Sequence, residues 1–129
     1  MRLLLDTQVL IALIEERSER LGPHIVSALS APDATVCVSV ASLWEISIKT
    51  RLGKLRLAVE LELLPELVEA LGLELVTILA RHVLAAVDPE PPTRDPFDRL
   101  LLAQCAVEGA RLVTIDRALV DHPIAFTSA

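Results

Sequence analysis

The chain has 129 residues, of which 53% are hydrophobic and 23% charged, and its formal net charge is −6 at pH 7. This length and hydrophobic content exclude a disordered chain and predict one folded domain over residues 1–129. A negative net charge is not expected of a protein that holds nucleic acid by bulk electrostatics. An RNA or DNA substrate therefore requires a local basic patch or bound cations.

The first half of the chain alternates predicted strands and helices, which lie at residues 2–5 (strand), 7–17 (helix), 21–30 (helix), 35–39 (strand) and 41–52 (helix). Apolar and β-branched runs indicate the two strands. Asp6 is expected to be the N-cap of the first helix, and Pro23 suits the first turn of the second. Gly53 is the expected end of the third helix.

The second half continues this alternation at residues 60–71 (helix), 73–78 (strand), 80–87 (helix), 97–108 (helix), 111–115 (strand) and 124–127 (strand). Pro65 fits a first turn best, so the helix at 60–71 is alternatively expected to start at Leu64. The proline-rich stretch 88–94 predicts a stiff loop within the domain. Strands that alternate with helices predict an α/β fold of three layers, with a parallel sheet of four to five strands between helices.

Two cysteines, Cys37 and Cys105, are too few for a disulfide framework and lack the spacing of a metal site. We expect buried thiols in a reducing compartment. No stretch resembles a signal peptide or reaches the roughly 18 apolar residues of a membrane span. The sequence therefore predicts a cytoplasmic protein without a membrane partner.

Four acidic residues adjoin the predicted strands and helices: Asp6, Glu45, Asp98 and Asp116. Asp6 and Asp116 each follow an apolar strand, Glu45 lies within a helix, and Asp98 opens another. Because ligands of open α/β sheets bind beyond the carboxyl ends of the strands, these acids are expected to meet at one edge. Carboxylate oxygens suit Mg²⁺ or Mn²⁺, so the pattern predicts a metal-dependent phosphodiester hydrolase.

Each acid also has a purely structural interpretation. Asp6, Asp95 and Asp116 are possible N-caps, and Asp98 at the third helical position after Asp95 fits a capping box. Asp95 is assigned to this capping role. Glu45 is in position to pair with Lys49 one helical turn later. Capping does not explain why acids follow two separate strands, and an unpaired Glu45 among apolar neighbours would be costly.

A basic cluster follows Glu45 directly and occupies four of eight positions: Lys49, Arg51, Lys54 and Arg56. Such a run is often only a solvated helix face. Its position beside a candidate ligand instead favours contacts with the phosphates of a polymeric substrate. We therefore predict that these four residues bind RNA.

Four segments, at 3–7, 39–55, 94–104 and 112–116, resemble in order the segments of PIN-domain nucleases, and of the VapC-type toxins in particular. The most specific strings are Ser-Leu-Trp-Glu-Ile around Glu45 and Asp-Pro-Phe-Asp-Arg-Leu-Leu around Asp98. By this resemblance the catalytic and metal-binding residues are Asp6, Glu45, Asp98 and Asp116. Thr7 and Thr114 are candidates to orient carboxylates or water; ordinary turn and strand hydrogen bonding is an equal alternative for both.

The resemblance implies a doubly wound parallel sheet and an endoribonuclease that depends on Mg²⁺ or Mn²⁺. It further implies the toxin of a toxin–antitoxin pair, usually a homodimer, whose cognate antitoxin protein blocks the acidic site. Two alternatives from other classes are an α/β interaction domain without catalytic activity and a metal-dependent phosphatase of small substrates.

Overall fold

The computed structural model describes residues 1–127 and contains a central sheet of four parallel strands in the order β3-β2-β1-β4. The strands are β1 (Arg2–Leu5), β2 (Thr35–Ser39), β3 (Glu74–Val76) and β4 (Arg111–Val113). In register, Leu4 of β1 lies opposite Cys37 of β2 on one side and Leu112 of β4 on the other. The predicted α/β class is confirmed.

Six α-helices connect the strands: α1 (Thr7–Ile14), α2 (Pro23–Leu29), α3 (Val40–Arg51), α4 (Leu64–Ala70), α5 (Ala80–Leu84) and α6 (Pro96–Glu108). Two 3₁₀ turns, at Ser18–Arg20 and Leu61–Leu63, precede α2 and α4. The alternative start of the fourth helix at Leu64 is confirmed, with Pro65 in its first turn.

The central strand β1 is buried on both faces, because successive side chains of a strand point to opposite sides. Leu3 and Leu5 of β1 pack into one hydrophobic core together with residues of α1 to α4. Leu4, between them, packs into a second core with residues of α6. The unbroken apolar run of β1 thus contributes side chains to both hydrophobic cores. Such runs are typical of parallel strands that are covered on both faces.

The ends of α6 follow local signals. The side chain of Asp95 accepts a hydrogen bond from the amide of Phe97 at 2.9 Å, and Pro96 occupies the first turn. Gly109 ends the helix in the left-handed conformation, with φ of 66°, where a side chain would be strained. The capping role predicted for Asp95 is confirmed.

Several helices are shorter than predicted, and the one predicted at 21–30 covers only Pro23–Leu29. The first ends at Ile14, not at residue 17, since Glu16 adopts a positive φ of 56° and the Arg17 amide turns back to the Ala12 carbonyl at 2.8 Å. The helix predicted at 80–87 ends at Leu84, because Ala85 takes an extended conformation.

The strands predicted at 73–78 and 111–115 are also shorter, since each ends where its partner ends. The pairing of β3 stops at Val76 opposite Ser39, and that of β4 at Val113 opposite Leu5. The strand predicted at 124–127 is wrong: only a single bridge forms, between Leu112 and Ala125. Residues 128 and 129 of the predicted domain lie outside the described residues.

No helix among residues 1–127 is long and apolar enough to span a membrane.

Candidate active site at the carboxyl edge of the sheet

Three neighbouring strands deliver acids to one edge of the sheet. Asp6 follows the last residue of β1 directly, and Asp116 follows β4 in the next connection. Glu45 lies in α3, which begins immediately after β2, and Asp98 lies in the first turn of α6. Because β1 is hydrogen-bonded to both β2 and β4, Asp6 occupies the middle of this edge.

Asp6 is the best-bonded of these acids and is only 5% exposed. One carboxylate oxygen accepts the Thr7 amide at 2.8 Å, and the other accepts the Thr114 hydroxyl at 2.6 Å. Burial raises the pKa of Asp6, and the charges of Glu45 and Asp116 raise it further, while the two hydrogen bonds oppose this. The raised pKa indicates negative charge that the protein does not fully compensate.

Asp98 carries the largest change among the acids. It is 8% exposed, and burial, followed by the charges of Asp95, Asp6 and Asp116, raises its pKa from 3.8 to about 7. A hydrogen bond with the Thr93 side chain acts in the opposite direction. The Thr93 hydroxyl also accepts the amide of Asp95 at 3.1 Å.

Glu45 is 6% exposed and forms an ion pair with Lys49, whose Nζ lies 2.6 Å from Oε2. The interpretation of Lys49 as the partner of Glu45 one turn along α3 is therefore confirmed. The hydrogen bond with Glu45 is the main cause that raises the pKa of Lys49, and the charges of Asp95 and Asp6 contribute as well. Acids of three different segments, Glu45, Asp95 and Asp6, thus act on the charge of Lys49.

Asp116 is exposed and shapes its own turn. Its carboxylate accepts the Ala118 amide at 2.9 Å, and its backbone amide donates to the Thr114 hydroxyl at 3.0 Å. Thr114 therefore bonds both the amide of Asp116 and the carboxylate of Asp6. The Thr114 hydroxyl thus makes a turn hydrogen bond and a carboxylate hydrogen bond at once.

Thr7 links α1 to α3. Its amide donates to Asp6, and its hydroxyl donates to the Ser42 hydroxyl at 2.9 Å in a buried position. This hydrogen bond joins the residue that follows Asp6 to α3, the helix that carries Glu45.

An aromatic pair borders the acids. The rings of Trp44 and Phe97 meet edge to face with their centroids 5.5 Å apart. These two residues directly precede Glu45 and Asp98, so their contact joins the two helices, α3 and α6, that carry those acids. Trp44 is nevertheless 59% exposed, which leaves much of its ring open to solvent beside the site.

The chemistry of these donors fits a hard divalent cation. Carboxylate oxygens are the ligands that Mg²⁺ and Mn²⁺ prefer, and burial, followed by the charges of neighbouring acids, raises the pKa of Asp6 and of Asp98. Among residues 1–127, however, no three His, Cys, Asp or Glu side chains are close enough together to hold a metal ion. Asp6, Glu45 and Asp116 are each bonded to protein groups, namely Thr114, Lys49 and the Ala118 amide.

The four predicted RNA-binding residues differ in their contacts. Lys49 is turned toward Glu45, and Arg51 donates to the Ser47 hydroxyl. Lys54 and Arg56 are exposed beyond the end of α3. Lys49 therefore belongs to the acidic edge, whereas Arg51, Lys54 and Arg56 lie at the protein surface.

The fold and this edge together define a class of protein: a parallel α/β domain whose central strands lead into acidic side chains. The sequence profile of the PIN domain family matches residues 3–124, nearly the whole chain. The chain belongs to the PIN domain family, whose members are generally metal-dependent nucleases. A comparison with curated proteins gave no match.

Proposed function

We propose that this PIN domain is an endoribonuclease that requires Mg²⁺ or Mn²⁺. The observation that carries this proposal is the delivery of Asp6, Glu45 and Asp98, all nearly buried carboxylates, to one edge of the sheet. Burying three acids is costly unless a cation offsets their charge, and Lys49 supplies only one positive charge. Asp6, Glu45, Asp98 and Asp116 would hold the divalent ion.

A bound divalent ion lowers the pKa of water and stabilises charge on the scissile phosphate. The protein groups around the acids keep their oxygens in place. Thr114 and the Thr7 amide hold the two oxygens of Asp6. Such supporting hydrogen bonds orient ligands and strengthen metal sites.

An acidic protein that cleaves RNA needs attraction outside its acidic edge. We assign this to the exposed cations that follow Lys49, namely Arg51, Lys54 and Arg56. Trp44 offers an open ring beside Glu45, and base–aromatic stacking does not depend on charge. These groups favour a polymeric substrate over a small phosphate ester.

We further propose that the protein is a toxin of the VapC type, with a cognate antitoxin and a second copy of itself as partners. Support comes from the sequence strings around Glu45 and Asp98 and from exposed apolar side chains on α5. Leu84 is 82% exposed, and Val83 lines a groove of about 440 Å³ between α5 and α6. Exposed apolar patches of this kind favour protein partners. The buried free thiols of Cys37 and Cys105 suit a cytoplasmic location.

A circular single-stranded RNA tests the activity, because only an endonuclease linearises it. We expect cleavage with Mg²⁺ or Mn²⁺ and none in EDTA. Asp6→Asn and Asp98→Asn should abolish cleavage, because an amide is a poorer ligand for a hard dication. Asp95→Asn is the matched control and should keep most activity, since Asn is also a good N-cap.

The alternatives give different results in the same experiment. A small-substrate phosphatase would leave the circle intact and hydrolyse p-nitrophenyl phosphate. An interaction domain without catalytic activity would do neither. If Asp95→Asn were inactive and Asp98→Asn active, the assignment of the acid within the Asp-Pro-Phe-Asp string would be wrong. The toxin role is tested separately by growth arrest on induced expression and its rescue by the product of a neighbouring reading frame.

A further inference from the structure

Lys49 is one of only two lysines in the chain, and it points into the acidic edge. Its ammonium lies 2.6 Å from Oε2 of Glu45. The Glu45 side chain is 8% exposed, whereas the Lys49 side chain is 36% exposed. Lys49 thus reaches from the surface of α3 to a carboxylate that water hardly touches. A pair with one buried member is worth more than a surface pair, because removing the cation leaves a charge without solvent.

The surroundings of Lys49 favour its charged form. Its pKa is raised first by the hydrogen bond with Glu45, against partial burial, and then by the charges of Glu45, Asp95 and Asp6. Among residues 1–127, the pair with Lys49 is the only ion pair that Asp6, Glu45, Asp98 or Asp116 makes. The nearby Arg99 is directed elsewhere, to Glu90 and to the Thr93 carbonyl.

We propose that Lys49 is the internal counter-ion of the acidic edge, which neutralises Glu45 in the metal-free protein and competes with a divalent cation for that carboxylate. Two cations that share one carboxylate at contact distance repel each other, so each weakens the binding of the other. Lys49 thereby stabilises the empty site and lowers its affinity for metal. This inference rests on the proposed metal site.

The chain supplies its own control, because the second lysine, Lys54, is exposed and lies beyond the end of α3. Lys49→Gln and Lys54→Gln remove the same charge from nearly the same part of the sequence. The melting temperature in EDTA and the Mn²⁺ affinity by titration calorimetry are measured for both variants. Both readouts are independent of RNA cleavage.

Lys49→Gln should melt at a lower temperature in EDTA, because Glu45 becomes a buried charge without a partner. It should also bind Mn²⁺ about tenfold more tightly, within the usual range of coupling between two sites. Lys54→Gln should match the wild type in both measurements. Adding Glu45→Gln to Lys49→Gln should restore much of the stability in EDTA, since no unpaired charge remains.

Equal Mn²⁺ affinity in Lys49→Gln and Lys54→Gln would refute the proposal that Lys49 competes with the metal. Weaker Mn²⁺ affinity in Lys49→Gln would show that Lys49 instead favours metal binding. If Lys49→Gln fails to fold, Lys49→Arg and the double variant with Glu45→Gln carry the test. Lys49→Arg keeps the charge and should resemble the wild type; tighter Mn²⁺ binding by it would contradict the inference. If neither the wild type nor any variant binds Mn²⁺, the proposed metal site is wrong. If the wild type and all folded variants bind Mn²⁺ equally well, only the role of Lys49 is refuted.

Discussion

The buried carboxyl of Asp98 predicts that stability in metal-free buffer falls as pH rises. The pKa of this group is about 7 in the folded protein and 3.8 in its ordinary state. The folded chain therefore keeps a proton that the unfolded chain has lost, and stability decreases wherever the folded state binds more protons. The contribution of the protonated carboxyl is complete below about pH 4 and is lost as pH rises through about 7.

Asp98→Asn removes this dependence, because an amide resembles the protonated acid in shape and in charge. The displacement from 3.8 to about 7 covers about three pH units, at about 1.4 kcal/mol each, so its upper limit is about 4 kcal/mol. Water and salt at the open edge screen the charges, and we expect about half of that, about 2 kcal/mol. For a domain of this length, about 2 kcal/mol corresponds to roughly 6–10 °C in melting temperature.

Urea unfolding followed by circular dichroism in EDTA, at pH 5 and pH 8.5, measures this effect. Asp98→Asn should be more stable than the wild type by about 2 kcal/mol at pH 8.5 and by about 1 kcal/mol at pH 5, where the unfolded carboxyl is already ionised and the folded one is still protonated. Asp121→Asn removes an exposed acid and should change stability by less than about 0.5 kcal/mol at both. The reasoning is refuted if Asp98→Asn is the less stable protein at pH 8.5, or if its advantage is the same at both pH values.

Other contacts of the site lead to three further predictions. Thr114→Val should lower the free energy of unfolding in urea by about 1–3 kcal/mol, because a buried carboxylate oxygen of Asp6 loses its hydrogen-bond donor. Thr114→Ser keeps the hydroxyl and should keep most of the stability. Equal losses in the two variants would assign the effect to packing. Replacing Arg51, Lys54 and Arg56 by Gln should reduce the salt dependence of RNA binding by up to about 0.7 per lost contact, and unchanged slopes would remove these residues from the interface. Single-stranded RNA in EDTA should quench the fluorescence of Trp44, the chain's one tryptophan. Trp44→Leu should weaken RNA binding by about 1–3 kcal/mol per stacked base. Unchanged fluorescence would show that RNA does not approach the ring.

Local signals in the sequence determined where several elements begin and end. The unbroken leucine run of β1 predicts burial on both faces, and each face does contact its own hydrophobic core. Asp95, Pro96 and Gly109 set the ends of α6 through a side-chain cap, a fixed φ and a left-handed residue. These signals act within a few residues, so the sequence alone contains them. The same holds for Glu45 and Lys49, whose helical spacing makes their pairing possible.

Tertiary structure decided the lengths of the strands and the supporting contacts of the acids. The pairing of β3 and of β4 ends where the partner strand ends. The residues of β3 and β4 themselves do not indicate this end. The hydrogen bond from Thr114 to Asp6 joins residues 108 positions apart, and only the adjacency of β1 and β4 brings them together.

The direction of the Lys49 side chain also depends on tertiary structure as well as on sequence. Its sequence position permits contact with Glu45 or with a polymer in solvent, because a lysine side chain is long and flexible. Burial of Glu45 against the sheet makes an unpaired carboxylate costly, and the packing of α3 therefore turns the ammonium inward. The sequence alone determined which residues carry charge, whereas the burial of one partner decided which charges meet.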